Sequence, residues 1–111
     1  MDLAEVRGLA LALPEATEQP HHDMTSFRVR GKIFATAPAD EAHLHVFVDE
    51  SETAAAVAES PDVCAELWWG KKLSGVRVTL AAADPVRVAE LLEESFRRRA
   101  PKALVAELDA R

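Results

Sequence analysis

The stretch that decides the fold is Phe27-Arg28-Val29-Arg30-Gly31-Lys32-Ile33-Phe34-Ala35-Thr36-Ala37. Apolar and polar side chains alternate on both sides of its Arg30–Gly31 centre, which is the two-residue period of a strand with one buried face. The central glycine can take the positive φ that a tight hairpin turn requires. The stretch therefore predicts a β-hairpin over about residues 25–37.

The same alternation predicts which side chains of this hairpin are buried. The set expected on the buried side, facing the apolar stripe of the last long helix, is Phe27, Val29, Ile33 and Ala35. Phe34 has the opposite phase, so we expect it on the other face, where the C-terminal residues Leu104 and Leu108 would cover it. A register shift of one residue would exchange the buried and exposed sets.

Hydrophobic periodicity predicts the elements on either side of the hairpin. Steps of three and four residues between apolar side chains predict four helices, at about residues 2–12, 51–58 and 85–99 and after Pro101. Asp84 and Pro85 suit the N-cap and the first position of the longest helix. Alternating apolar residues predict further strands at about residues 43–48 and 75–80.

Two segments have a less regular pattern. Residues 15–23 contain few apolar side chains and a proline, so we expect a surface loop there. Residues 62–75 fit either a helical turn followed by a strand or a strand throughout. The order of elements predicts an α+β domain, in which an antiparallel meander has its helices packed mainly on one face.

Length and composition indicate a single domain over residues 1–111. No apolar run approaches the ~18 to 20 residues that span a bilayer, so no membrane partner is expected. Asp2 and Glu5 stand where an export signal has basic residues, and the single cysteine, Cys64, cannot form an internal disulfide. We therefore expect a cytoplasmic protein, with a monomer favoured.

The distribution of charge differs between segments. The formal net charge is −6, which disfavours nucleic-acid binding if the charge is spread evenly. Residues 24–39 and 67–83 nevertheless contain basic side chains and no acidic ones. The basic residues are Arg28, Arg30 and Lys32 in the first segment and Lys71, Lys72 and Arg77 in the second. Both predicted hairpins are therefore basic, while acidic residues lie mostly in helices and loops.

Four segments carry a family resemblance: Leu11-Ala12-Leu13-Pro14-Glu15, the hairpin sequence from Ser26 to Thr36, Trp69-Gly70-Lys71-Lys72, and Ala100-Pro101-Lys102. In combination, over nearly the full length, the chain resembles the MmcQ/YjbR family of small bacterial proteins. The resemblance implies a compact α+β fold with a double-wing DNA-binding arrangement. Proteins of this family are often labelled DNA-binding on that structural analogy.

Two functions fit the basic hairpins. The first is a non-catalytic DNA-binding module whose contacts to the phosphate backbone come from Arg28, Arg30, Lys32, Lys71, Lys72 and Arg77. The second is a protein-interaction or small-ligand-binding domain that uses the sheet face and Trp68 or Trp69. Basic side chains that converge on one ridge favour the first, and a concave apolar pocket beside the tryptophans favours the second.

Metal binding and catalysis have weaker support in the sequence. His43 and His45 are two residues apart on a predicted strand, and His21 and His22 are adjacent in a loop, but no cysteine or carboxylate shows ligand spacing around them. Cys64 has no base nearby in the sequence and is expected to be a buried or inert thiol. We therefore expect no metal, no cofactor and no enzymatic activity.

Overall fold

The computed structural model describes all 111 residues as one antiparallel sheet and four helices. The helices are α1 (Leu3–Leu11), α2 (Glu50–Glu59), α3 (Pro85–Arg99) and α4 (Lys102–Asp109). The strands are β1 (Thr17–His21), β2 (Met24–Val29), β3 (Lys32–Ala37), β4 (His43–Val46), β5 (Cys64–Trp69) and β6 (Lys72–Thr79). Their order in the sheet is β1-β2-β3-β4-β6-β5. The predicted α+β fold is confirmed.

Three of the four helices begin at residues whose side chains cap the first turn. Asp2 accepts a hydrogen bond from the Glu5 N–H, and Asp49 and Asp84 cap α2 and α3 in the same way. Pro85 occupies the first turn of α3, where its missing N–H costs no helical hydrogen bond. None of the four helices combines the length and apolar character needed to cross a bilayer.

The first hairpin, β2–β3, turns at Arg30 and Gly31 as predicted, and both residues have positive φ, as a type I′ turn requires. The predicted burial within it is partly wrong. Phe27 lies opposite Ala35 and Arg28 opposite Ile33, so Phe34 has no partner and forms a β-bulge. Beyond a bulge the alternation changes phase.

This change of phase exchanges the places of two neighbouring side chains. Phe34 is completely buried against Phe96 of α3, with ring centroids 5.9 Å apart and planes at 87°, whereas Ile33 is only half-buried. The other three residues of the predicted set, Phe27, Val29 and Ala35, are buried as expected. Phe34 therefore takes the core position that strict alternation gave to Ile33.

Residues 17–21 correct a second expectation, because they form the edge strand β1 and not a loop. Proline is tolerated in an edge strand when its missing N–H faces away from the neighbouring strand. Pro20 lies opposite Thr25 of β2. Polar side chains predominate in β1 because it lies at the margin of the sheet and most of its residues are exposed.

Residues 62–75, for which the sequence fitted two alternatives, belong to a second hairpin, β5–β6. Residues 64–69 are a strand throughout. This hairpin also contains a bulge: Leu67 pairs with Gly75 and Trp68 with Leu73, which leaves Ser74 unpaired. Strand β6 starts at Lys72, three residues before the predicted start. Two bulged hairpins thus lie on the two sides of β4.

The two faces of the sheet differ in what covers them. On one face a row of paired residues, Phe27, Ala35, Val46 and Val76, is fully buried in a core that includes Val88, Leu92 and Phe96 of α3. On the opposite face the corresponding row is Ser26, Thr36, His45, Arg77 and Ala65. We call this second face the open face.

Candidate ligand-binding site

The two hairpins point their turns to the same end of the sheet. Each neighbouring pair of strands is antiparallel, so β2, β4 and β5 run in one direction. The Arg30–Gly31 turn follows β2, the Gly70–Lys71 turn follows β5, and the segment that begins at Phe47 follows β4. The end of β4 therefore lies between the two turns.

A cavity of about 670 Å³ lies along the open face, between the two hairpins. Its floor includes Thr36 and His45, and Ile33 of the first hairpin contributes to one side. The second hairpin contributes side chains from Leu67 to Ser74, including both tryptophans. This volume falls within the roughly 300 to 1,000 Å³ that is usual for small-molecule sites.

Trp68 and Trp69 are both exposed, with 53% and 75% of their surfaces accessible, although alternate side chains of a strand point to opposite faces. We expected one of them at the surface. The bulge at Ser74 and the position of β5 at the sheet edge leave Trp68 outside the core as well. Both indoles line the cavity, together with the half-buried Phe47.

Three cations line the same cavity: Lys72 from the second hairpin and Arg98 and Arg99 from the end of α3. None of the three forms an ion pair, since all the ion pairs of the chain involve other residues. The Arg99 Nε atom is buried and has no hydrogen-bond partner. Two carboxylates, Asp49 and Glu50, also line the cavity at the start of α2.

The end of α3 is attached to the sheet by hydrogen bonds at the end of β4. The buried Ser95 hydroxyl lies 2.5 Å from the Phe34 carbonyl oxygen and 2.9 Å from that of Phe47. Arg98 Nη1 donates to the same Phe47 oxygen over 2.8 Å. These contacts place the two consecutive arginines at the cavity. The neighbouring Arg97 instead pairs with Asp109 of α4 over 2.6 Å.

His45 lies on the floor of the cavity in a partly desolvated position. Its Nε2 atom is buried and has no hydrogen-bond partner, and Arg77 lies opposite it on β6. Burial lowers the pKa of His45, and the positive charges of Arg77 and His43 lower it further. The imidazole is therefore held in its neutral form over a wider pH range than a solvated histidine.

We expect this histidine to make folding stability fall in mild acid. As pH falls through the ordinary value of 6.5, the unfolded chain takes up a proton at residue 45 that the folded chain resists. Stability is thus fully present above that pH and declines below it. Urea unfolding at about pH 7.5 and about pH 5.5 should show a smaller decline in His45→Gln than in the parent.

An equal decline in the two proteins would show that His45 is not the group responsible. The carboxylates with a lowered pKa do not interfere in this pH range. Glu15, Asp40 and Asp109 have ordinary pKa values of 4.5, 3.8 and 3.8, and their partners lower these values in the folded chain. Their contribution is lost only in stronger acid.

The six basic residues expected to contact DNA are not equivalent in the structure. Arg30 makes a two-pronged ion pair with Glu15, at 2.8 and 3.0 Å, and the Arg28 Nε donates to the Ser26 hydroxyl at 2.9 Å. Arg77 is half-buried on the open face. The remaining three are exposed: Lys32, Lys71 and Lys72. Of all six, only Lys72 lines the cavity.

The histidines and the cysteine are dispersed. His21 and His22 are in edge contact with ring centroids 4.7 Å apart, and the His43 Nδ1 lies 2.9 Å from Asp40 Oδ2. No three histidine, cysteine or acidic side chains come together in a way that would hold a metal ion. Cys64 is buried, as expected, and burial raises the pKa of its thiol.

Some of the lining residues can be identified from the sequence and others cannot. The tryptophans and Lys72 were identified from the second hairpin alone. Arg98 and Arg99 have a simpler explanation in sequence, because cations stabilise the end of a helix. Their place at the cavity depends on where Ser95 attaches α3 to the sheet, and a buried serine inside a helical stripe has no distinct sequence pattern.

Comparison with known proteins gives one family and one solved structure. The YjbR family model matches residues 11–98. The crystal structure of the Deinococcus radiodurans protein DR2400, with a DUF419 family domain, has a TM-score of 0.76 to this chain at 22% sequence identity. The similarity covers 97% of this chain and 88% of that one, and it shows a shared fold. No curated protein matches the chain in sequence.

Proposed function

The chain belongs to the YjbR family, and from that premise we propose that it is a non-catalytic domain that binds a small molecule between its two hairpins. The observation that carries this proposal is the cavity of about 670 Å³ beside the two exposed tryptophans. Pockets of this size, with apolar walls and a few polar groups, are the usual form of small-molecule sites.

The composition of the lining supports the same reading. Exposed indoles are unfavourable in water, and tryptophan is the residue most enriched at binding hot spots. The polar groups Thr36 and His45 lie on the floor, where they would orient a bound molecule. The lining therefore combines apolar area with polar and charged side chains that would give specificity.

Nuclear magnetic resonance of the two indole N–H groups provides a direct test, because the chain has two tryptophans and both line the cavity. The isotope-labelled protein is titrated with a metabolite library that spans neutral, cationic, anionic, aliphatic and aromatic compounds. We expect at least one compound to shift the indole signals in a saturable way. If no compound does so, the proposed function is rejected.

DNA binding is the second candidate, and a specific observation favours it: the two basic hairpin turns lie at the same end of the sheet. Lys32 and Lys71 are exposed at or beside those turns and have no acidic partner. Two such projections can contact the phosphates of one duplex. The net charge of −6 and the ion pair that engages Arg30 oppose this candidate.

Fluorescence anisotropy with a labelled duplex at low salt tests the second candidate. If it is correct, affinity falls steeply as salt rises, and the double variant Lys32→Gln, Lys71→Gln lowers the salt slope by about two units for any DNA sequence. Lys102→Gln, an exposed lysine on α4, is the matched control and should leave the slope unchanged. Absence of binding at low salt excludes this candidate.

A further inference from the structure

We infer that the small molecule is an aromatic anion, that is, a flat ring joined to a phosphate or carboxylate group. This inference rests on the proposed function and specifies the chemical class of its ligand. Two independent properties of the cavity carry it. One is the kind of apolar surface that the lining offers, and the other is the set of cations that have no acidic partner.

Three of the eight apolar residues that line the cavity are aromatic, among them both exposed tryptophans. The chain has two tryptophans, four phenylalanines and no tyrosine. Three phenylalanines are fully buried in the core, namely Phe27, Phe34 and Phe96. The aromatic residues that line the cavity are Trp68, Trp69 and Phe47. Indole faces bind flat rings by offset stacking, which adds a favourable contact to the burial of area. A flat ring is therefore better suited to this wall than an aliphatic chain.

The charges favour an anion. Lys72, Arg98 and Arg99 make no ion pair, and the hydrogen bond of Arg98 is to the neutral Phe47 carbonyl. Both carboxylates of the lining lie at the start of α2, where the helix dipole stabilises negative charge. Asp49 also accepts the Glu52 N–H as the helix cap. Asp49 thus has a local hydrogen-bond partner, and neither arginine forms an ion pair.

Arginine next to arginine is suited to phosphate and carboxylate groups in particular. The guanidinium plane presents paired N–H donors that match two oxygens of such an anion. Both arginines line the cavity, so an anion bound there would supply the opposite charge that they lack. The ring and the anionic group together account for the aromatic wall and for the cations at the end of α3.

Matched ligands test each half of this inference separately. The probes are adenosine 5′-monophosphate and 2-naphthoate, their neutral counterparts adenosine and 2-naphthamide, and the non-aromatic anions ribose 5-phosphate and cyclohexanecarboxylate. Binding is followed by the two indole N–H signals. We expect at least one aromatic anion to bind about tenfold or more tightly than both its neutral counterpart and its non-aromatic counterpart. The tighter of the two aromatic anions identifies a phosphate or a carboxylate.

Variants of the lining connect the affinity to named residues. Trp69→Ala removes an exposed stacking surface and should weaken the aromatic anion about tenfold. Arg99→Gln should reduce the preference for the charged ligand over its neutral counterpart. Lys72→Gln, at an exposed position of the same lining, should reduce this preference to a smaller extent. Lys102→Gln lies outside the cavity and should change neither affinity.

Two results would overturn the inference. The first is equal affinity for the charged and neutral aromatic probes, which would leave the proposed function intact and exclude the anionic group. The second is no binding of either aromatic anion while compounds of another class shift the indole signals. Failure of every compound in the wider library is a different result and rejects the proposed function itself.

Discussion

Replacing Phe34 with alanine should lower the free energy of unfolding by about 3 to 5 kcal/mol. The ring is completely buried and makes an edge contact with Phe96 of α3. Its removal leaves a cavity between the sheet and the helix that the surrounding core can fill only in part. For a domain with a typical stability of about 5 to 15 kcal/mol, this loss is a large fraction of the total. Chemical denaturation of the two proteins measures it.

Ile33→Ala is the matched control, because the two residues are neighbours and differ in burial. Ile33 is half-buried at the side of the cavity, so its truncation should cost about 1 kcal/mol. The ratio of the two losses reports the register of the first hairpin. If the isoleucine truncation proved the more damaging, the bulge at residue 34 would be misplaced and strict alternation would hold.

Gly75→Ala should cost about 3 kcal/mol or more, since no room exists for a methyl group. A Cβ atom at this position would lie 2.1 Å from the Val46 carbonyl oxygen and 3.0 Å from the Phe47 Cα. Both obstacles are backbone atoms of the neighbouring strand, so relief requires β4 and β6 to separate. The φ of +155° at this residue also favours glycine. A thermal melt should show a large decrease in Tm.

Gly8→Ala provides the control for this substitution. Gly8 lies in α1, and a Cβ atom there would meet no atom within 4 Å. Alanine in the interior of a helix is favoured over glycine by about 0.5 to 1 kcal/mol. The same chemical change should therefore raise Tm at residue 8 and lower it at residue 75. Equal small effects at the two positions would contradict the close approach of β4 and β6.

The main elements of the fold could be predicted from local patterns. Helix α3 begins and ends where Asp84, Pro85 and the basic last turn place it, because capping and dipole effects act within a few residues. The first hairpin was located by its turn and by alternation on both sides. These signals are local, so they can be identified without knowledge of the tertiary contacts.

The errors have physical causes that a single sequence hides. A bulge changes the phase of alternation without changing composition, so Phe34 and Ile33 exchanged places. An edge strand buries few side chains, so the polar sequence of β1 resembles that of a surface loop. The tryptophans of β5 are exposed because the sheet ends there, and a strand's place in the order is set by pairing across the chain.

The candidate site was predictable only in part for the same reason. Basic and aromatic residues of the second hairpin stand out in sequence because they are adjacent. The arginines of α3 join them only after the chain has folded, since Ser95 and Arg98 both bind the main chain of residues far away in sequence. A site assembled from two hairpins and a helix end leaves no contiguous motif.

The position of Pro20 has a consequence for self-association. An open sheet has two edges, here β1 and β5, and unpaired edges are where identical chains join into fibrils. Pro20 has no backbone N–H, so the β1 edge lacks one hydrogen-bond donor. The β5 edge is therefore the one better able to pair with another strand. Two chains that paired through β5 would then present β1 at both outer margins. We therefore expect Pro20 to disfavour edge-to-edge growth beyond two chains.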